Sequence, residues 1–281
     1  MKIYQCNSAP PHLNFGDRLN GSMMPVIFSD IMQTEDITLM GIGTIINDWS
    51  IVETLNENRI WFSSGYGYTK TNLSYKAIGK IYGVRGDISA SFLGLDQSLV
   101  CGDGAYLLRN FYKPATVKFH KFSFMPHHNS NHLGWYQACN LAGINYIDPT
   151  RDVHDIINDI NCTGVMLSEA MHGAIVADAL RVPWIAVSSN EHIYSLKWVD
   201  WLSSLELNYN PEFISTFYQK SKDDFLRKLK YKFCLIRAAT ELNRITKQID
   251  PILSTDYAND RILDKLHTVS AQIIKDYQLK L

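Results

Sequence analysis

The stretch GVMLSEAMHGAIVADALRVPWIAV, Gly164 to Val187, constrains this chain more than any other segment. A short apolar run, Gly164 to Leu167, is followed by a long alanine-rich run from Glu169 to Leu180 and by a second short apolar run, Pro183 to Val187. Short apolar runs bounded by small or polar residues read as strands, and the longer one as a helix. The segment is therefore expected to form a parallel βαβ unit. Its polar knot, Ser168 to Gly173, falls where the first strand ends. Ser168 is the expected N-cap, which puts His172 within the first turn of the helix. Ligands of open α/β sheets bind outside the carboxyl ends of the strands, where a helix start offers amides and positive dipole to an anion. The competing reading is a histidine packed between helix and sheet with its nitrogens satisfied locally.

The same pattern recurs upstream. The runs ITLMGIGTII, RIWFSSGYGY, KIYGVRGDIS and SLVCGDGAYLL each end in small or polar residues, as strands do when they deliver a site to their carboxyl ends. The knots are Asn14-Phe15-Gly16-Asp17, Gly41-Ile42-Gly43-Thr44, Ser63-Ser64-Gly65, Arg85-Gly86-Asp87 and Gly102-Asp103-Gly104. Small residues there let a ligand approach backbone amides, although each knot by itself is also an ordinary turn. Arg85 follows an apolar run and precedes a helix expected near Asp87. Its guanidinium is suited to hold a carboxylate or phosphate bidentately, the alternative being an ion pair with Asp87 or Asp103. Past the strand Val117–Phe124, the loop PHHNSNH carries His127, His128 and His132. The carboxylate partners and spacing of a metal motif are missing, so these histidines point to acid/base or hydrogen-bonding work, and no metal is expected.

Several classes are excluded. The 27 basic and 28 acidic side chains nearly cancel, so any anion site must be local rather than a general polyanion surface. Five cysteines without C-x-x-C spacing argue against a disulfide framework. GIGTII lacks the third glycine of a dinucleotide fingerprint, and neither a P-loop nor a G-x-S-x-G elbow is present. No run of about eighteen apolar residues and no apolar signal core occurs, so a cytoplasmic location is expected.

Two α/β domains are expected, residues 1–113 and 114–208, followed by C-terminal helices over 209–281 that pack back on the body. In those helices Phe225, Leu226, Leu229, Phe233, Ile236 and Leu242 fall roughly on one side. The cationic run Arg227, Lys228, Lys230 and Lys232 is either a solvated face or a peripheral contact with the inner face of an anionic membrane.

Taken in order, NFGDRLN, GIGTII, FSSGYG, YGVRGDIS, LGL, GDGAYLL, PHH, YIDP and above all VHDIINDINCTGVMLSEAMHGAIVADALRVPWIAV resemble the polysaccharide pyruvyl transferase family, in its bacterial exopolysaccharide branch. The collinear series runs from Asn14 to Val187. The resemblance implies two Rossmann-like domains facing a cleft, as in the B-type glycosyltransferase fold. It also implies transfer of the pyruvyl group of phosphoenolpyruvate, a donor substrate, to sugar hydroxyls as a ketal, with no cofactor. The acceptor would be a sugar or a lipid-linked oligosaccharide; nucleic acid is not expected as a partner. On this reading His172, Glu169 and His127 are the catalytic candidates. Arg85, Ser168, Asn14, Asp17, Ser64 and Gly65 bind the donor, and His128, Gly43 and Asp103 line the acceptor side. The family's R-x-H arrangement is here Ala170-Met171-His172, so an anion clamp would fall to Arg85, Lys118 or His127. Two alternatives share the implied fold: a B-type glycosyltransferase using a nucleotide sugar, and a non-catalytic sugar- or anion-binding module.

Overall fold

The structure, a computed structural model, describes residues 1–5, 14–55, 57–67, 78–130, 133–189, 194–215, 217 and 225–278. In chain order its elements are β1 (Lys2–Ile3), α1 (Phe15–Ile27), β2 (Ile37–Met40), α2 (Asp48–Glu53), β3 (Asn58–Ser64), β4 (Lys80–Val84) and α3 (Asp87–Phe92). There follow β5 (His120–Met125), α4 (Leu133–Ala142), β6 (Asn145–Tyr146), α5 (Val153–Asn161), β7 (Thr163–Ser168), α6 (Met171–Ala179) and β8 (Trp184–Ser188). The chain ends with α7 (Ser195–Ser203), β9 (Glu212–Phe213), α8 (Phe225–Gln248) and α9 (Asp256–Gln278).

The strands make two parallel sheets, ordered β1-β2-β3-β4 and β6-β5-β7-β8-β9. Parallel sheets need both faces covered, which is why their strands read as apolar runs rather than alternating ones. All four residues of β2 and all five of β8 are buried. SLVCGDGAYLL departs from the expected pattern: it contributes a single bridge, Val84 to Val100, and then a 3₁₀ helix, Gly104–Asn110. The turn chemistry decides this, because Gly102 adopts φ +85° and the Asp103 carboxylate caps Ala105.

The chain folds as two compact units that exchange segments. One comprises residues 1–113, 194–209 and 254–281; the other comprises 114–193 and 210–253. The expected continuous domain over 114–208 and the separate helical tail over 209–281 are therefore corrected. α7 and α9 build the first unit, and α8 builds the second. In the first, Tyr82 and Lys80 of β4 both reach Asp276 of α9. In the second, Ala238, Ala239, Leu242 and Ile245 of α8 enter the core formed by Phe124, Trp135, Leu167 and Val187. Leu242 is buried, but Leu229, Phe233 and Ile236 are exposed, so the apolar side expected of this helix is in fact two sides. Among the described residues no helix is long and apolar enough to cross a membrane. Cys101, Cys139, Cys162 and Cys234 are free; Cys6 lies outside the described residues.

Candidate active site

In the second unit, the register places the predicted knot. Met125 pairs with Ser168 across β5 and β7, and Ser168 with Ala186 across β7 and β8. The residues just beyond, His127, Glu169 and Ser189, therefore leave three adjacent strands at their carboxyl ends. Glu169 ties them together. Its Oε2 accepts from the His127 amide at 2.8 Å and from the Ser130 hydroxyl. Its Oε1 accepts from the Ser189 amide at 2.9 Å and from the Ser189 hydroxyl. A wholly buried carboxylate is costly unless paired or hydrogen-bonded, and these four donors satisfy both oxygens. Glu169 thus fixes the histidine loop rather than presenting a free basic oxygen.

His127 and His128 are half-buried, with ring centroids 4.2 Å apart. The His127 Nδ1 accepts from the Asn129 amide at 3.3 Å, which orients the ring. His172 occupies the first turn of α6 and is 9% exposed. Ser168 does not cap this helix as expected. The strand ladder keeps it in β7, where its hydroxyl donates to the Ala170 carbonyl at 2.7 Å, and the cap position falls to Ala170. Among the described residues no side chain caps α6, whose Gly173 amide turns back to the Ala170 carbonyl at 2.9 Å, and the positive end of the helix dipole there favours an anion. Gly173 lets the helix start this close: a Cβ there would stand 2.4 Å from the Ser168 hydroxyl. Lys118 belongs elsewhere. It precedes β5, at the amino end of the sheet, and its ammonium donates to the Asn161 carbonyl at 2.6 Å. Burial holds the Lys118 ammonium below its usual pKa.

In the first unit the predicted residues divide into two groups. Asn14 caps α1, accepting from the Gly16 amide at 3.0 Å, and Asp17 lies in its first turn. A Cβ on Gly43, whose φ is +130°, would stand 3.2 Å from the Asp17 carboxylate, so these residues meet. The second group is internal. Ser64 donates to the Met40 and Gly41 carbonyls at 2.9 and 2.5 Å. Arg85 is fully buried; its Nε donates to Asp200 at 2.9 Å and its Nη1 to the Thr44 hydroxyl at 3.0 Å. Its ion-pair partner is thus neither Asp87 nor Asp103 but Asp200, which also accepts from the Ser89 amide and hydroxyl. Gly65 serves the guanidinium: a Cβ there would lie 2.1 Å from Arg85 Nη2. Asp103 is buried as the cap of the 3₁₀ helix.

Asp200, Ser130 and Ser189 were not singled out from the sequence, and Thr44 only as part of a knot. Ser188-Ser189 after an apolar strand was a legible signal of the same kind as the other knots. Asp200 lies inside α7, far along the chain from Arg85, with no local signature. His132 lies outside the described residues, and among those described no group of three His, Cys, Asp or Glu side chains could hold a metal ion. A groove of about 510 Å³ beside α9, lined by Tyr257, Arg261, Asp264 and Lys265 among others, contains none of the predicted site residues.

Two parallel α/β sheets with polar knots beyond their strand ends define a class of chain that binds its ligands at those ends. This chain belongs to the polysaccharide pyruvyl transferase family: the sequence model described as Polysaccharide pyruvyl transferase matches residues 19–191. It is also 35% identical over 215 residues to the succinoglycan biosynthesis protein ExoV of Rhizobium meliloti (strain 1021), covering 75% of this chain and 67% of that protein. The matched family region includes Arg85, His127, Glu169 and His172; Asn14 and Asp17 precede it, and α8 and α9 follow it. The chain is therefore a transferase of polysaccharide biosynthesis.

Proposed function

We propose that this chain transfers the pyruvyl group of phosphoenolpyruvate to two hydroxyls of a sugar in exopolysaccharide synthesis, forming a cyclic ketal. Each sheet with its helices would be one Rossmann-like half of a fold like that of the B-type glycosyltransferases. The supporting observation is the Glu169 clamp, which fixes the His127 loop beside the knot that leads into α6 and His172.

The reaction begins with a proton delivered to the methylene carbon of the enol, which turns that carbon into a methyl and makes the central carbon electrophilic. One sugar hydroxyl adds there and loses its proton. The C–O bond to phosphate then breaks, inorganic phosphate leaves, and a second hydroxyl closes the ketal with loss of its proton. Of the two hydroxyl protons, one replaces the proton spent on the methyl and the other departs with phosphate. His172 is the assigned proton donor, a role in which a positioned side chain contributes roughly 10²–10⁴-fold. The uncapped amino end of α6 would receive the carboxylate or phosphate. His127 and His128, with exposed edges on a clamped loop, are suited to orient the acceptor hydroxyls. No step requires a cofactor.

Incubation with phosphoenolpyruvate and, separately, with nucleotide sugars, each across a panel of free, nucleotide-linked and lipid-linked acceptors, tests this function. Acceptor-dependent release of inorganic phosphate from phosphoenolpyruvate is expected. Release of nucleoside diphosphate instead would make the chain a glycosyltransferase, and ligand binding without turnover on any acceptor would make it a binding module.

A further inference from the structure

Helix α8 carries two apolar stripes, and among the described residues only one is buried against the fold. Ala238, Ala239, Leu242 and Ile245 are buried in the core of the second unit, and Tyr231 donates to Gln137 of α4 at 2.8 Å. A helix lying on a domain surface is expected to turn polar side chains to water on the far side. Here the far side holds Leu229, Phe233 and Ile236, which are 57, 66 and 60% exposed. At 100° per residue they share an arc of about 60° with Thr240. Lys232 borders that arc on one side, Arg237 and Lys230 on the other, and all three are exposed. From Phe225 to Gln248 the helix has seven basic residues and one acidic one, Glu241, which is engaged by Arg237 at 2.9 Å.

The charge pattern decides the occupant. An apolar seam edged on both sides by long cationic side chains matches the boundary of an anionic bilayer, where the seam enters the acyl region and the cations extend to lipid phosphates. A second copy of this helix would instead bring like charges face to face. We propose that the exposed stripe of α8 docks this protein on an anionic phospholipid surface. This holds whatever chemistry the strand ends perform.

The test is flotation of the full chain with vesicles of phosphatidylglycerol and phosphatidylcholine in equal parts, against vesicles of phosphatidylcholine alone. Binding is expected on the first only. It should weaken at 1 M salt, where the screening length falls to about 3 Å. The double variant Lys230→Glu/Lys232→Glu should lose at least about ten-fold in partitioning, since each cation near such a surface contributes appreciably. Phe233→Ser/Ile236→Ser should lose as much while leaving the melting temperature unchanged, because both side chains are exposed. No binding to the anionic vesicles, or binding that both variants retain in full, would overturn the proposal. So would concentration-dependent dimerisation abolished by Phe233→Ser/Ile236→Ser without vesicle binding, which would assign the stripe to a second copy.

Discussion

The strand ends of the two units use charge in opposite ways. In the first unit Arg85 is sealed inside, its Nε engaged by Asp200 and its Nη1 by Thr44, while its Nη2, packed against Gly65, has no hydrogen-bond partner among the described residues. In the second unit the buried charge is Glu169, and what it holds, the His127 loop, remains half open to solvent. Both are polar knots after apolar strands, indistinguishable as sequence patterns. The arginine knot joins β4 to α7 and stabilises the unit; the glutamate knot carries groups that can meet a substrate. A buried ion joined to another buried ion is architecture, whereas a buried ion that positions partly exposed imidazoles is the frame of a site.

That contrast can be broken at Arg85. Arg85→Met removes one partner of a fully buried pair and strands the Asp200 carboxylate, which should cost about 3–5 kcal/mol of stability. Denaturant unfolding reads this directly. A variant of normal stability with a weakened dependence on phosphoenolpyruvate would instead place Arg85 in contact with the donor, and the two knots would then be alike.

Glu169→Gln sharpens the other half. The amide keeps one acceptor oxygen but points hydrogens at two of the four donors, so about 1.5–3 kcal/mol should be lost, the scale of a hydrogen bond to a charged group. Turnover should fall with it as the His127 loop loosens. An equally stable Gln variant with a changed pH profile would make Glu169 a reacting group rather than a clamp.

The smallest effect belongs to an exposed ion pair in the first unit. Hydrogen bonds from Lys80 and Tyr82 hold the Asp276 carboxyl down from 3.8 to about 2. A carboxyl depressed by folding stabilises the fold above its unfolded value and forfeits that stabilisation as it is protonated. The melting temperatures of the wild type and Asp276→Asn should therefore differ modestly above pH 3.8 and converge as the pH falls towards about 2. A gap that stays constant over that range would show that the carboxylate charge contributes nothing to holding α9 on β4.

The α/β class and most strands were legible because parallel strands read as apolar runs ending in small residues, and the βαβ unit from Thr163 to Ser188 formed as such. The helix start was not, because sheet pairing claimed Ser168 before it could cap. The exchange of segments between units was equally hidden. α8 and α9 have similar charged, helical sequences, and which core each joins depends on surfaces assembled only in three dimensions. In the site, His127 and Glu169 were visible as knots, but their bond joins residues on neighbouring strands more than forty positions apart. The Asp200 partner of Arg85 was hidden for a physical reason: a guanidinium after a strand suits a phosphate and a buried carboxylate equally well, and nothing local records the aspartate.

The central claim, that the knot leading into α6 performs the chemistry, is tested most directly by His172→Asn, with melting temperature and single-turnover phosphate release from phosphoenolpyruvate measured on one preparation. Asparagine can hydrogen-bond but cannot deliver a proton near neutral pH. An almost unchanged melting temperature and a rate lower by roughly 10²–10⁴ are expected. A variant that melts early yet releases phosphate at the normal rate would contradict it, leaving His172 as a packed residue between helix and sheet.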